Sequence, residues 1–368
     1  MLVLNCQKET LLKPLQAVVG VVERKHTLPI LSNILVENSA GKTALIATDL
    51  ELQITTWMAG ESETDTAFTV SARKLLDITR SLPDETSLAL DLNNEQLRIQ
   101  AGKSRFNLQT LPAKDFPKLQ SGEGDGIELE VSASKLRKLL ARAQYAMAVQ
   151  DIRYYLNGML FQLQGNKLVV AATDGHRLAV DAIELEAEAS QPVEVILPRK
   201  TVMELIKLLG EGDEKARIRI GANQVVVSHP DFELRSKVVD GKFPDYQRVV
   251  PVGYEKYFDI NRQRLHQSLA RAAILTNDKY RGVRLAMTAG TLRVACSNNE
   301  QEEAQEELEI EYAYDALDIG FNVQYIQDVL NNLDTEAVRC LFGDANSSML
   351  ITVPGDDNFR YVVMPMRI

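Results

Sequence analysis

The chain repeats itself at intervals of roughly 125 residues, and this repeat constrains the fold more than any other feature of the sequence. The pattern Leu-x-x-x-Leu-Ala-Arg-Ala occurs at residues 136–143 and 265–272, and residues 11–18 hold a weaker copy. Arg-Lys pairs (73–74, 199–200), Thr-Asp pairs (48–49, 173–174) and Phe-Pro pairs (116–117, 243–244) keep the same order and nearly the same spacing. We therefore predict three copies of one domain, each close to a third of the 368 residues.

Each copy is predicted to open with a helix, continue with strands, add a second helix and end with further strands. Strands are indicated by the apolar or β-branched segments 34–37, 44–47, 224–228 and 349–353. The Gly-rich segment 121–126 and the stretch 251–254 predict domain boundaries, giving domains 1–126, 127–254 and 255–368. The glycines of the first segment lack the strand-to-helix context of a phosphate-binding loop, so we interpret them as a linker. The predicted fold class is α+β.

Basic residues concentrate on the predicted helices, although the chain carries a net charge of −10. Segments 7–25, 71–82, 132–148, 198–210 and 261–275 are each net positive, and only 323–333 is not. Two of these helices, beginning after Ser132 and Asn261, are predicted to group polar side chains on one face: Lys135, Lys138 and Arg142 in one, Arg264, Ser268 and Arg271 in the other. A single basic helix face is usually only solvated. Five that agree on an acidic background predict one surface that holds a polyanion.

Several classes of protein are disfavoured by the composition. Cys6, Cys296 and Cys340 lie far apart with no CxxC pair, so neither a zinc knuckle nor a disulfide framework is expected. No apolar run of about 18 residues and no basic-then-apolar leader is present, so we expect no membrane association and a cytoplasmic protein. One Trp and 6% aromatic residues argue against stacking platforms for single-stranded nucleic acid.

Longer strings make the chain similar, over essentially its whole length, to the family of bacterial DNA polymerase III beta subunits, the sliding clamps. These strings are residues 27–31, 48–51, 150–161, 172–180, 242–246, 320–323 and 361–367. The resemblance implies a head-to-tail homodimeric ring of three-domain subunits, with helices lining the hole and antiparallel sheets outside, around double-stranded DNA without sequence specificity. It implies no catalytic residue, metal or cofactor. The implied partners are the DNA polymerase III catalytic subunit, the clamp loader, and other polymerases and repair proteins that carry clamp-binding peptides.

By the same resemblance, a groove between the second and third domains receives the partner peptides. Its implied residues are Leu156, Thr173, Gly175, His176, Arg177, Leu178, Pro244, Arg248 and Val249 from the second domain, and Asn322, Tyr325, Ser348, Val362, Met364, Pro365, Met366 and Arg367 from the third. A flexible Met suits a surface with several partners, and Arg177 or Arg248 could bind a polar peptide end. The alternative is that this terminal segment is plain edge-strand core.

The resemblance also implies DNA contacts and a subunit interface. The implied DNA contacts are Arg24 or Lys25, Arg73, Gln150, Arg153, Tyr154, Tyr155, Arg199 and Lys200, with at least one of the two tyrosines expected in the core. The implied interface sets a basic segment against an acidic one: Lys74, Lys103, Arg105, Phe106 and Leu108 of one subunit face Ile274, Leu275, Glu300, Glu302, Glu303 and Glu306 of the next. The alternative is two unrelated surface patches.

An enzyme and a protein-binding scaffold are the alternatives to this function. The loop 173–178 contains Asp174 and His176 but no nearby nucleophile or third ligand, which disfavours a hydrolase or metal site. A metal-dependent nuclease or polymerase would use Asp49 and Glu51, yet Asp49 corresponds to Asp174 and then to Asn298 in the repeats, as a turn residue would. A scaffold that binds proteins only is the second alternative.

Overall fold

The computed structural model describes residues 1–23, 28–39, 41–59, 65–120, 126–189, 191–276 and 281–367. Arg24 and Lys25, both named as possible DNA contacts, lie outside these residues. Within them, each third of the chain has the same order of elements: a strand, a helix, four strands, a helix and three strands. None of the helices that these residues form is long and apolar enough to cross a membrane.

The first third contains β1 (Leu2–Gln7), α1 (Lys8–Val19), β2 (Asn33–Ser39), β3 (Lys42–Thr48), β4 (Leu52–Ala59), β5 (Thr66–Ser71), α2 (Ala72–Ser81), β6 (Ser87–Asn93), β7 (Gln96–Ala101) and β8 (Ser104–Pro112). The second contains β9 (Ile127–Ser132), α3 (Ala133–Ala141), β10 (Gly158–Gln164), β11 (Lys167–Thr173), β12 (Arg177–Glu184), β13 (Val193–Pro198), α4 (Arg199–Leu208), β14 (Lys215–Ile220), β15 (Gln224–His229) and β16 (Phe232–Lys237). The last contains β17 (Lys256–Asn261), α5 (Arg262–Ala272), β18 (Gly282–Thr288), β19 (Thr291–Ser297), β20 (Glu303–Glu309), β21 (Leu317–Asn322), α6 (Val323–Asn332), β22 (Ala337–Phe342), β23 (Met349–Val353) and β24 (Asp356–Val363).

The chain divides into two compact units, and the first comprises Met1–Leu136 and Met203–Val238. Its strands form one 12-stranded sheet in the order β1-β6-β7-β8-β5-β2-β3-β4-β16-β15-β14-β9. The antiparallel pairing of β4 with β16, with Thr56 opposite Phe232, joins strands of the first and second thirds. Leu11, Leu15 and Val18 of α1 are fully or almost fully buried. Their spacing puts them on one face of the helix, which packs against β4.

The second unit comprises Arg137–Val202 and Val239–Ile368. It holds an 8-stranded sheet, β13-β10-β11-β12-β24-β23-β22-β17, and a 4-stranded sheet, β20-β19-β18-β21. Here β12 pairs antiparallel with β24, with Arg177 opposite Val363. A buried cluster beside this pairing includes Leu160, Ile196, Phe243 and Val362.

The α+β fold of repeated antiparallel units is confirmed, and every strand predicted from the sequence lies within an observed strand. The Asn261 cap is also confirmed, since its side chain accepts a hydrogen bond from the Arg264 backbone N–H. The helix predicted over 132–148 was too long, because α3 ends at Ala141. The single-face prediction was wrong for Ser268 and Arg142, which are buried. The domain boundaries remain a prediction.

Arg142 is buried because two carboxylates from distant strands meet it inside the second unit. Its Nη1 donates to Asp181 at 3.1 Å and to Asp356 at 2.9 Å, and its guanidinium lies 5.0 Å from the centroid of the Phe359 ring. Burial raises the pKa of Asp181 to about 6 from an ordinary 3.8, against the lowering effect of Arg142. The more exposed Asp356 has its pKa lowered, because hydrogen bonds and the charge of Arg142 outweigh its partial burial.

We predict that Arg142→Met destabilises the protein by about 3 kcal/mol at pH 8, because two carboxylates lose the cation that pairs with them. A carboxyl with a raised folded pKa favours folding while it is protonated, and this contribution is lost as pH rises. Without the guanidinium, the pKa of Asp181 should lie further above its ordinary value, so at pH 5 this carboxyl is protonated. The destabilisation caused by Arg142→Met should therefore be smaller at pH 5 than at pH 8. Thermal unfolding at both pH values measures this, with the exposed Lys135→Met on the same helix as control. An equal loss at both pH values would contradict the argument.

Candidate functional site

A cavity of about 200 Å³ lies in the second unit beside the β12–β24 pairing. Among the predicted groove residues it is lined by Leu156, Thr173, Gly175, Arg177, Leu178, Pro244, Val249, Val362 and Met364. Arg153, Tyr155 and Tyr246 also line it. The first two are among the implied DNA contacts, and Tyr246 is not among the predicted groove residues although it ends one of the strings that carry the resemblance. A cavity of this size, with an apolar lining and a few polar groups, suits side chains of a short peptide.

One wall of the cavity is a turn that its own side chains hold. Thr173 Oγ1 donates to the Arg177 carbonyl at 2.6 Å, and Asp174 Oδ1 accepts from the His176 and Arg177 backbone N–H groups at 2.9 and 3.1 Å. Gly175 has φ of +91°, in the left-handed region, and a Cβ there would lie 3.0 Å from Arg153 Nη2. A side chain at Gly175 would therefore be strained and would crowd Arg153, although the equivalent Leu50 of the first third adopts φ of +79°.

The same turn recurs in the other thirds of the chain. Asp49 Oδ1 accepts from the Glu51 and Leu52 N–H groups, and Asn298 Oδ1 accepts from those of Glu300 and Glu302. The interpretation of this repeated position as a structural turn is thus confirmed. Among the described residues, no three His, Cys, Asp or Glu side chains cluster as metal ligands would.

Arg177 lines the cavity with its hydrogen-bonding capacity largely used within the chain. Its Nε donates to Asp174 at 3.0 Å, its Nη1 to Asp328 at 2.5 Å and its Nη2 to the Tyr145 carbonyl at 2.6 Å. The side chain is only 10% exposed, and the guanidinium stacks 4.5 Å from the Tyr325 ring centroid. Arg177 therefore fixes the wall rather than offering a free charge. Arg248 is 87% exposed and pairs with the exposed Asp245, which makes it the more available cation.

The other predicted groove residues do not line the cavity. Hydrogen bonds hold several of them in place. The Met364 N–H donates to the His176 carbonyl at 2.9 Å, and the Met366 N–H donates to the Gly320 carbonyl at 2.8 Å. The Tyr254 hydroxyl donates to the Ser348 carbonyl, and the Tyr361 hydroxyl donates to the Tyr325 carbonyl. Asn322 caps α6 by accepting from the Gln324 N–H. Pro365 is half-buried and Arg367 exposed, while Met364 is 43% exposed. The exposed Met364 offers an apolar contact at the mouth of the cavity.

The predicted DNA contacts differ in how available they are. Arg73 is exposed near the start of α2, while Arg199 and Lys200, at the start of α4, are half-buried. Arg153 donates hydrogen bonds to Asp151, and these hydrogen bonds lower the pKa of Asp151 to about 2. Gln150 is exposed with φ of +55°. Tyr154 is 56% exposed, whereas Tyr155 packs against the buried cluster of the second unit. Tyr155 is therefore the tyrosine that packs on the core, and it also lines the cavity.

Similarity to known proteins extends over essentially the whole chain. Family models of the DNA polymerase III beta subunit match three successive segments: the N-terminal domain at residues 2–120, the central domain at 130–245 and the C-terminal domain at 247–367. The chain belongs to this family.

Relatives and solved structures agree with that assignment. The beta sliding clamp of Escherichia coli (strain K12) is 43% identical over 363 residues, which cover 98% of this chain and 99% of the relative. That of Pseudomonas aeruginosa is 46% identical over the same length. A crystal structure of the Pseudomonas aeruginosa clamp bound to griselimycin has a TM-score of 0.95 and 45% identity and covers both chains completely. The chain is thus a member of the beta sliding clamps of bacterial DNA replication.

Among the described residues, two strands with an unpaired edge hold part of the segments implied for the clamp interface. In β8, Ser104–Gln109 pair with β7 on one side, whereas the pairing with β5 begins only at Thr110. β20 ends the 4-stranded sheet, and within the described part of the chain it pairs with β19 alone. Arg105 and Lys103 are exposed beside the first edge, and Glu303 beside the second. Glu306 already pairs with Arg271 at 2.5 Å in its own chain.

Proposed function

We propose that the chain forms a head-to-tail homodimeric ring around duplex DNA and tethers polymerases and other replication and repair proteins to it, with no catalysis of its own. Full-length membership of the clamp family supports the general function. The observation that carries the assembly is the pair of unpaired strand edges with opposite charge. The central partners are the DNA polymerase III catalytic subunit and the clamp loader, and the protein acts in the cytoplasm.

The interface would join β8 of one subunit to β20 of the next by backbone pairing. Exposed strand edges are liabilities unless another strand covers them, and antiparallel addition would satisfy both rows of backbone groups. Ile274, 77% exposed, and the half-buried Phe106 and Leu275 would contribute apolar contact near the edges, whereas Leu108 is buried within its own chain. Lys74, Lys103 and Arg105 opposite Glu300, Glu302 and Glu303 would set orientation and register.

DNA binding would be electrostatic and independent of sequence. Helices α2 and α4 each begin with an Arg-Lys pair at or next to the first helical residue, so the two thirds present similar cations. Contacts to phosphates carry no base information, and sliding replaces each contact by an equivalent one. Gln150, Arg153 and Tyr154 would add exposed contacts from the loop before β10.

Partner peptides would bind in the cavity of the second unit. An apolar peptide side chain would enter beside Leu178 and Val362, with Met364 closing over it and Arg248 near the rim. The thioether of Met364 adapts to side chains of different shape, which suits one groove that serves several partners.

Topological retention tests the ring directly. We expect purified protein loaded by a clamp loader to stay on nicked circular plasmid and to be lost once the plasmid is linearised. Sedimentation equilibrium should give a mass near twice 41.1 kDa. Equal retention on both DNA forms would instead support a protein-binding scaffold, and metal-dependent cleavage by the pure protein would support a nuclease.

Reversing the charge of Arg105 should weaken dimerisation by about tenfold or more, because a cation at the interface becomes an anion facing Glu303. Sedimentation at nanomolar subunit concentration measures the change. Arg105→Glu combined with Glu303→Arg should recover part of the affinity. Arg98→Glu, on the next strand inward and the same face of the sheet, is the matched control. A control as damaging as Arg105→Glu would mean that the effect is not local to the edge.

Met364→Ala should weaken binding of a clamp-binding peptide by about tenfold, since truncating a partly buried apolar contact costs about 1–2 kcal/mol. Fluorescence anisotropy of a labelled peptide reports the affinity, and the dimer mass should not change. Val252→Ala removes an 88% exposed side chain that does not line the cavity and serves as control. Deleting residues 364–368 should abolish peptide binding. Loss of the dimer in that deletion would instead make the tail a folding element.

A further inference from the structure

A second cavity, of about 740 Å³, lies in the second unit between β17 and the connection from β20 to β21. Its aromatic lining consists of Tyr257, Tyr312 and Tyr314, which we call the tyrosine patch. The centroid of the Tyr314 ring lies 5.3 Å from that of Tyr312 and 6.1 Å from that of Tyr257. Tyr312 is buried, whereas Tyr257 and Tyr314 are 37% and 36% exposed. The cavity shares no lining residue with the peptide groove.

The internal repeat indicates that the fold does not need the tyrosine patch. The β17–β22 pairing repeats the β9–β14 pairing, with a carboxylate opposite an arginine in both, and this register makes Tyr257 the counterpart of Glu128. The connection after β20 corresponds to that after β12, which places Ala187 and Ala189 at the positions of the other two tyrosines. One third of the chain therefore exposes aromatic rings where a related third has none. Exposed rings of this kind are typical of a binding surface.

The charges beside the tyrosine patch favour a cationic partner. Glu309 and Glu311 line the cavity and are exposed, and neither pairs with a cation in the part of the chain that the structure describes. The third carboxylate of the lining is already paired with Arg339, whose guanidinium lies 4.4 Å from the Tyr257 ring centroid. Tyr314 is therefore the exposed ring that lies beside two unpaired carboxylates, and an aromatic face attracts a cation.

The tyrosine patch and the peptide groove lie on one face of the same sheet. Cross-strand neighbours form a single row over five strands: Leu178 on β12, Val362 on β24, Leu350 on β23, Leu341 on β22 and Tyr257 on β17. Residues directly opposite each other in an antiparallel ladder point to the same face. Since Leu178 and Val362 line the cavity of the groove, the row begins in the groove and ends in the tyrosine patch.

The separation of the two sites suits a single partner chain. Adjacent strands lie about 4.8 Å apart, so three strand spacings place Tyr257 about 14 Å from Val362. Side chains of the segment 243–254 pack over the middle of the row, so a chain that crosses this segment follows a longer path. An extended residue spans about 3.3 Å, and about five to seven residues of a partner therefore reach from the groove to the tyrosine patch.

We propose that the tyrosine patch is a second docking surface for the partner proteins of the groove, and that it binds a basic segment a short linker away from the peptide in the groove. This proposal rests on the proposed function of the groove. An arginine of the basic segment stacks on Tyr314 and pairs with Glu309 and Glu311. Two weak contacts of one chain bind more tightly than either alone, because seating the first raises the effective concentration of the second.

Extended peptides test this surface on the full-length protein. A labelled groove peptide is compared with versions that carry Arg-Gly-Arg or Gln-Gly-Gln beyond a Gly-Ser linker of about six residues, at either end. Fluorescence anisotropy at constant ionic strength reports the affinities. At one of the two ends, Arg-Gly-Arg should tighten binding about tenfold relative to Gln-Gly-Gln, because only the cationic extension pairs with the carboxylates.

Variants of the tyrosine patch locate the source of this gain. Tyr314→Ala, and Glu309→Gln combined with Glu311→Gln, should each remove most of it, whereas Tyr314→Phe keeps the ring and should keep the gain. The matched control combines Glu184→Gln with Glu188→Gln, two exposed positions at and after the end of β12 in the corresponding part of the second third. This control should bind the extended peptide as the parent does.

Several outcomes would overturn the proposal: no gain at either end, a gain that survives Tyr314→Ala, or an equal loss of gain in the matched control. A smaller assembly mass for Tyr314→Ala would also overturn it, since the patch would then be a subunit contact. If the unextended peptide fails to bind, the proposed groove is wrong, and labelled Arg-Gly-Arg alone then tests the patch. That short peptide should bind the parent more tightly than Tyr314→Ala, and equal binding would contradict the proposal.

Discussion

The antiparallel pairings of β4 with β16 and of β12 with β24 are the contacts on which the rest of each unit depends. Each joins strands from successive thirds of the chain into one sheet. In the second unit the pairing brings the turn after β11 beside the C-terminal segment, and both line the cavity. In the first unit the corresponding turn is tied to its surroundings: Gln53 Oε1 accepts from the Leu119 N–H at 2.9 Å, and Glu51 pairs with Lys237. The same sheet geometry therefore places a turn beside the end of the following third in both units.

Buried guanidinium groups hold the second unit at two places. Arg142 binds two carboxylates from β12 and β24, and Arg177 binds Asp174 and Asp328 while stacking on Tyr325. A planar fork of donors can satisfy acceptors from several elements at once, which an ammonium does less well. Since removal of one partner leaves charge buried, these clusters specify one arrangement of strands and helices. The groove wall inherits its rigidity from the second cluster, so a peptide would meet a preformed surface.

The sequence was sufficient for what is local or repeated, and insufficient for what distant residues decide. The Thr-Asp turn could be predicted because its hydrogen bonds lie within five residues, and the strands because alternation and β-branching are local signals. The burial of Arg142 could not be predicted, because helical periodicity places a side chain on one face of a helix but does not show that Asp181 and Asp356 lie against that face. For the same reason the sequence left Arg177 and Arg248 as alternatives for binding a peptide end. The partners of Arg177, Asp328 and Tyr145, are far away in the chain.

A ring joined through β8 and β20 closes only under a geometric condition. The two edges differ, so joining them is a heterologous contact, which forms a closed ring only if the rotation per subunit divides a full turn and otherwise forms an open filament. Because each chain already repeats one order of elements three times, two subunits would supply six similar steps, and closure would require each step to contribute about a sixth of a turn. The strand pairings within the chain and the edge pairing between chains must then have nearly the same geometry. The opposite charges beside β8 and β20 would then favour pairing of these two edges with each other.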